Sequence, residues 1–410
     1  MSEATGQIRA VARVGSAPPL PPSPVVLFRR RRPGHIGLLS ITQLLVAELL
    51  LVGVLAAAGA GWIVLIAAAV VFGLAMWGLF WRRRGRWWTE RLMLARSLRR
   101  RKGATASRNP DPRLAALHVV VPGLGVSTYE ASDGERVGVG RDEAGWFGAA
   151  AVVQPQFGRS GSFGRLPLDR LAQVLREMGQ PGSVVQLVVQ SVPAPTSDID
   201  ARNRCVLSYQ ELLGQHGTVP ADRIVWVSVR LDERRFLDAW VNESDPIDQA
   251  PAVVAALVRR MGRVMRRDGV SYQALDTDGL LDALVRSLDL ERDPTAEPPK
   301  ETWENWRSAH LTHATFWVSN WPQPDQAAAM LEQLAAVPAA STTLSLTLDA
   351  HEEYTDFRCL VRVSTKEYGL DATTTAVREI VHRFGGSVLR LDGEQVPAAY
   401  ATAPTGGGAQ

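Results

Sequence analysis

VLAAAGAGWIV, Val54 to Val64, lies inside an apolar run that begins near Ile36 and ends near Trp81, with arginines on both sides. As one helix of about 45 residues the run would rise far past a hydrocarbon core of about 30 Å. As two, 36–58 and 62–80, each half is close to the roughly 20 apolar residues that a span needs. Gly59 and Gly61 supply the break, because glycine reaches backbone conformations closed to other residues. Two crossings joined by a tiny turn are therefore expected.

The flanks set the direction. Arg29, Arg30, Arg31 and Arg32 precede the run and Arg82, Arg83, Arg84 and Arg86 follow it, and such residues gather on the cytoplasmic side. Both ends of the hairpin are expected inside the cell, with Trp77, Trp81, Trp87 and Trp88 as anchors at the inner boundary. A cleaved signal peptide fits poorly, since the basic region starts far along the chain and the run is too long. Glu48 falls near the centre of the first half, where an ionisable group costs about 2.5–3.5 kcal/mol. It is expected to face protein: another subunit's helix, or Gln43 and the second span. Gly53 and Ala57 form a small-xxx-small pair that permits close helix approach.

Beyond the second half, TERLMLARSLRRRK reads as a basic helix. Arg99, Arg100, Arg101 and Lys102 extend the inner-surface cluster begun by Arg82, Arg83, Arg84 and Arg86. Anionic headgroups reward each such charge by around 1 kcal/mol; the plain alternative is that the charges only fix topology.

The whole chain has 410 residues, 46% hydrophobic and 21% charged, near globular averages. The average conceals a division. Residues 1–102 hold 16 of the 45 Lys/Arg and 3 of the 42 Asp/Glu, which leaves 29 against 39 for residues 103–410. The basic pI of 9.1 thus follows from charge beside the apolar run, and argues against a nucleic-acid partner. Two cysteines, Cys205 and Cys359, far apart and with no CxxC, support neither a disulfide framework nor a zinc knuckle.

The expected fold class is α/β: a two-helix transmembrane hairpin followed by a mixed α/β cytoplasmic domain. A basic, disordered tail covers 1–34, the hairpin 35–81, a juxtamembrane helix and linker 82–110, the α/β domain 111–395 and a disordered tail, rich in Ala, Thr and Gly, 396–410. HVVV at His118 to Val121, RVGVG at Arg136 to Gly140 and WFGAAAVV at Trp146 to Val153 read as strands. RLPLDRLAQVLREMG, SDIDARNRCVLSYQELLG, 248–268, DTDGLLDALVRSL, PDQAAAMLEQLAAV and 371–384 read as helices. SVVQLVVQSV, DRIVWVSVRL, HATFWVSNW, STTLSLTLDA, FRCLVRVS and SVLRLDG read as strands. The proline-rich stretch 293–300 is the candidate internal boundary.

The search for chemistry is largely negative. PGLGVST has Gly123 and Gly125 but Thr128 where a third glycine belongs, and FGRSGSFG, Phe157 to Gly164, lacks a Lys-Ser/Thr ending, so both read as mobile loops. Asp198/Asp200 and Asp276/Asp278 match the pattern by which some sugar transferases hold a divalent metal. Both stand at expected helix starts, where carboxylates suit the macrodipole, and capping is the simpler reading. His310 and His313 precede a strand without an acidic neighbour at metal-site spacing. No serine sits in GxSxG, and Cys205 has no nearby histidine. Trp303, Trp306, Phe316, Trp317 and Trp321 form an aromatic cluster, read as core or subunit contact.

Taken together, this layout resembles the EccE subunits of actinobacterial type VII (ESX) secretion systems. The resemblance rests on the basic tail, two close spans, Arg-rich exit and α/β domain, and on Trp303/Trp306, His313, FWVSNWP, AAVPAASTTLSLTL and RFGGSVLRLDG. Arginine supplying nearly all the cationic charge suits a GC-rich actinobacterial source. It implies a non-enzymatic structural subunit of the inner-membrane translocon, multi-pass with both termini cytoplasmic, packed against EccB, EccC and EccD subunits, without cofactor or small-molecule substrate. Its contact residues would be Gln43, Glu48, Gly53 and Ala57 in the membrane and the arginines at the inner surface. The alternative is a membrane-tethered glycosyltransferase-like enzyme with an Asp-x-Asp metal site.

Overall fold

The computed structural model describes residues 35–101, 109–152, 168–193, 222–239, 246–350 and 355–407, short gaps within those ranges excepted. The expected tail 1–34, the FGRSGSFG stretch, and Asp198, Asp200 and Cys205 lie outside the described residues.

Two apolar helices lead, α1 (Ile41–Ala57) and α2 (Trp62–Phe80). They pack together through Ala47, Leu50 and Val54 of α1 and Leu65, Ala68, Phe72 and Ala75 of α2, which are half-buried at helical spacing. Gly61 between them has φ +108°, a conformation that favours glycine. The first helix starts at Ile41 rather than Ile36. Seventeen and 19 residues rise about 26 and 28 Å, short of a hydrocarbon core of about 30 Å. Among the described residues no helix is long and apolar enough to cross a membrane.

A ribbon pairing Arg82–Arg83 with Arg86–Trp87 leads into α3 (Trp88–Arg101). Next comes α4 (Pro112–Val120), which corrects the strand expected at HVVV. Asp111 accepts a hydrogen bond from the Arg113 N–H, and Pro112 stands in the first turn; these signals start a helix, and packing of Leu117 and Val120 overrides the β preference of the valines.

Twelve strands form one antiparallel sheet: β1 (Gly125–Glu130), β2 (Arg136–Asp142), β3 (Gly145–Val152), β4 (Ser183–Val192), β5 (Asp222–Asp232), β6 (Tyr272–Ala274), β7 (Lys300–Glu301), β8 (Trp306–Arg307), β9 (Thr312–Asn320), β10 (Ser341–Ala350), β11 (Thr355–Thr365) and β12 (Ser387–Arg390). Interspersed are α5 (Leu168–Met178), α6 (Glu233–Ala239), α7 (Pro246–Arg267), α8 (Thr277–Ser287), α9 (Pro324–Ala335), α10 (Leu370–Arg383) and α11 (Gln395–Thr402). The strand order is β7-β8-β9-β11-β10-β4-β5-β3-β2-β1, with β12 also on β9 and β6 also on β3. PGLGVST is no mobile loop, since its second half enters β1; a polar edge strand carries little apolar signal.

Within that order a repeat is visible. β3-α5-β4-β5-α7-β6 and β9-α9-β10-β11-α10-β12 are both βαββαβ units whose third strand lies between the first and second and whose fourth lies outside the first, the ferredoxin-like arrangement. The second strands meet: β4 pairs with β10 in a register symmetric about Val188 opposite Ser345, with Leu187 opposite Leu346 and Val189 opposite Leu344. Each unit ends in one more helix, α8 or α11. The proline-rich stretch 293–300 joins the units, and one sheet runs through both.

The sheet separates two chemistries. On one face Leu187, Val227, Leu344 and Val361 meet α5, α7, α9 and α10 in the main core. On the other, α4, α8, α11 and residues 403–407 cover a layer that includes Gln186, Ser228, Arg230, Thr343, Ser345 and Arg362. The expected disordered tail from 396 is thus corrected: α11, Pro397 excepted, and the residues after it, to Gly407, are buried. Small residues are what the space admits. Gly406, at φ +78°, would place a Cβ 2.2 Å from Cβ of Arg230.

Candidate functional site

Arg230 donates from Nη1 and Nη2 to both oxygens of Asp142, at 2.7 and 2.6 Å, and from Nε to the Thr405 carbonyl at 2.8 Å. The Tyr400 hydroxyl donates to the same carboxylate at 2.8 Å. Burial alone would raise the pKa of Asp142, but the hydrogen bonds and charge of Arg230 outweigh it and hold the carboxyl below its ordinary value. Gln186 accepts from Ser228 and from the Gly406 N–H, and donates to Ser345 and to the Ala401 carbonyl. This network closes on itself and fastens the C-terminal segment to the sheet.

His313 is the centre of a second chain. Asp289 can only accept, so Ser308 donates to it; Ser308 then accepts from Nε2 of His313 at 2.7 Å, and Ser364 donates to Nδ1 at 2.7 Å. Trp306 stacks on the imidazole with ring centres 4.8 Å apart. Burial, with the charge of Arg362 adding to it, keeps His313 neutral, its pKa well below the usual value. The guanidinium of Arg362 is fully buried, donates from Nη2 to the Ser287 carbonyl, and has no partner for Nε or Nη1 among the described residues. Burial brings its pKa down to about 10, Asp289 opposing. An aspartate, two serines and a histidine in line resemble an activated nucleophile, but His313 and Ser364 are each 1% exposed and cannot meet a substrate.

For Asp276/Asp278, the pair among the described residues, the structural reading is the one met. Asp276 caps α8 by accepting from the Gly279 N–H, and Asp278 pairs with Arg113 at 2.6 Å. Among the described residues no three His, Cys, Asp or Glu could hold a metal. The expected aromatic cluster is split between faces: Trp306 lies in the second core, Phe316 in the main core, and Trp321 against Phe357.

What remains is surface. α1 and α2 leave Leu44, Leu49, Val52 and Leu55, and Ile63, Ile66, Val70 and Leu74, exposed, an apolar expanse of the kind that marks a membrane or protein contact. In its midst Glu48 is exposed, with no hydrogen bond or ion pair among the described residues. Gly53 is exposed with nothing within 4 Å of a would-be Cβ, so no helix among the described residues crowds it. Ala57 and Gln43 lie within α1.

α3 has two sides. Arg91, Leu94, Leu98 and Arg101 fall on one face of the helix: Leu98 is buried, Arg91 lies over the Trp303 ring at 5.2 Å, and Arg101 donates from Nε and Nη2 to the carboxylate of Glu301 at 3.0 and 3.1 Å and from Nη2 to the Gly393 carbonyl at 2.7 Å. Glu301 also accepts from the Val396 N–H at 3.0 Å. Trp88, Leu92, Met93, Arg96, Arg99 and Arg100 are exposed on the other face. The expected inner-surface cluster is therefore divided: Arg99 and Arg100 face outward, whereas Arg101 bolts the helix to the sheet. Arg82, Arg83 and Arg86 are placed by backbone alone, and Arg84 and Lys102 lie outside the described residues. Sequence reasoning missed Glu301, whose partner stands 200 positions away.

Residues 219–318 match the model of a family described as "Putative type VII ESX secretion system translocon, EccE". The matched stretch runs from the start of β5 through α7 and α8 into β9 and supports a role in type VII secretion. No curated protein sequence matches the chain.

Proposed function

From the match of residues 219–318 to the EccE family model, we propose that this chain is a non-enzymatic structural subunit of a type VII (ESX) translocon in the inner membrane. α1 and α2 form its membrane hairpin. Helices of 17 and 19 residues fall short of an unperturbed hydrocarbon core, so this reading requires a bilayer thinned locally around them. Arginines on both flanks orient both termini to the cytoplasm. The outward face of α3 rests on anionic headgroups through Arg96, Arg99 and Arg100, with Trp88 and Leu92 at the interface.

The observation that carries this reading is the exposed apolar helix pair with Glu48, unpartnered among the described residues, in its centre. A lone carboxyl in hydrocarbon needs a hydrogen-bond partner; the described side chains of α2 supply none, which supports a partner on a neighbouring subunit of the EccB, EccC or EccD kind. Close approach there is open at Gly53, and Gln43 and Ala57 lie on the same helix. The glycosyltransferase alternative finds no support, since Asp276 and Asp278 are both occupied by structural bonds.

The test exchanges residues 41–80 for an unrelated two-span hairpin and asks whether EccB, EccC and EccD still co-purify with the chain. Loss of all three is expected. Unchanged co-purification would remove membrane packing as the basis of assembly.

A further inference from the structure

An open groove of about 720 Å³ lies between the end of α10 and the end of the sheet, lined by Arg378, Glu379, His382, Arg383, Gly386, Ser387 and Val388. Its floor includes β12, which pairs with β9 along one edge. The Leu391 N–H donates to the Thr315 carbonyl at 2.9 Å; in an antiparallel ladder bonded and non-bonded pairs alternate, so Leu389 turns its backbone groups to β9 and Val388 turns its N–H and C=O to the open edge. A strand edge with free backbone groups is a template for another strand.

The groove has a charge preference as well as a backbone one. Two guanidiniums and an imidazole stand against the single carboxylate of Glu379. Arg378 lies over the Phe316 ring at 5.6 Å, and Arg383 reaches Gln333 with a marginal 3.4 Å hydrogen bond, so neither has an ion-pair partner among the described residues. His382 and Arg383 stand in the last helical turn, where cations suit the helix dipole, which accounts for their sign but not for Arg378 or the open strand edge beside them. α10 belongs to the helical layer, whereas Gly393 and α11, which α3 touches through Arg101 and Glu301, lie on the other side of the sheet. The groove is accordingly turned away from the side on which α3 docks, and a soluble polypeptide suits it better than a lipid surface.

We propose that β12 accepts an extended acidic segment of a partner protein, which adds to the sheet by bonding to Val388 and sets a carboxylate in the groove between Arg378, His382 and Arg383. Main-chain bonds supply affinity in this mode and the pocket for alternate side chains supplies selectivity. The inference goes beyond the membrane contact and does not depend on it.

The test uses the full-length chain in detergent micelles and a fluorescent peptide of about ten residues alternating Thr and Glu, read by anisotropy. Saturable binding is expected, with protection of the Val388 amide from hydrogen exchange. Val388→Pro removes the outward donor and is tolerated at an edge; it should weaken binding at least about tenfold. Arg383→Glu, an exposed change that leaves the edge intact, should do the same, which keeps the test decisive if the proline variant fails to fold. Equal affinity for a Thr-Lys peptide, full binding by both variants, or phosphatidylserine vesicles captured through Arg383 in place of the peptide would each overturn the proposal.

Discussion

Glu301→Ala should loosen two segments at once. The carboxylate is 5% exposed and accepts from Arg101 twice and from the Val396 N–H, while the Arg101 side chain is 26% exposed. Stranding the buried Val396 N–H costs about 1–3 kcal/mol. Breaking a buried ion pair costs about 3–5 kcal/mol, and the low end applies because Arg101 can swing into water. A total of about 4 kcal/mol or more is a roughly thousandfold change in local opening. Hydrogen exchange followed by mass spectrometry on the full-length chain in detergent should show residues 88–101 and 395–402 both exchanging faster by that order, with α5 unchanged. Arg101→Ala provides the contrast: Glu301 still accepts from Val396, so 88–101 should loosen more than 395–402. If Glu301→Ala speeds only 88–101, the shared carboxylate does not join the two helices and the reasoning fails.

Asp142→Asn should cost about 3–5 kcal/mol in urea unfolding, because Arg230 stays buried without its counter-charge; an unmoved midpoint would refute it. The pKa of Asp142 is depressed in the folded chain, so its contribution is present above about pH 4 and is lost as pH falls further. His313 has the reverse proton balance: the unfolded state binds a proton near pH 6.5 and the folded state does not, so stability should fall by up to about 1.4 kcal/mol per unit as pH drops below that value. His313→Gln should flatten this slope, and an identical slope in the variant would assign it elsewhere. Gly406→Ala should cost about 2 kcal/mol or more from its left-handed φ and the clash with Arg230, against about 1 kcal/mol for Gly179→Ala, which has φ +57° but open space around it. Equal thermal shifts would sink the steric argument.

The strong periodicities were legible from the chain alone. SVVQLVVQSV reads as a strand because it is buried on both faces at the seam of the sheet, and 248–268 as a helix because one stripe is apolar. HVVV failed since a capped start and helical packing outweigh β-branched residues over four positions. The C-terminal stretch failed for a different reason: Ala, Thr and Gly look like low complexity, yet small side chains are required where Gly406 touches Arg230. The repeat could not be seen at all, because the two units keep register and topology while their polar faces diverge, Gln186 and Ser228 in one standing where Thr343 and Arg362 stand in the other. Of the candidate site, Glu48 and the α3 arginines could be named from charge and position, whereas the Arg101–Glu301 bolt depends on a tertiary neighbour that local sequence does not announce.

The fastening of residues 403–407 beneath the sheet imposes an order on biosynthesis. At about 5–20 residues per second, α2 leaves the ribosome roughly 15 to 65 seconds before Gly406 does. During that interval Gln186, Arg230 and Asp142 lack their lid and the nascent sheet is wet on one side. Whatever receives the apolar pair acts on a half-finished molecule, and the sheet closes only afterwards.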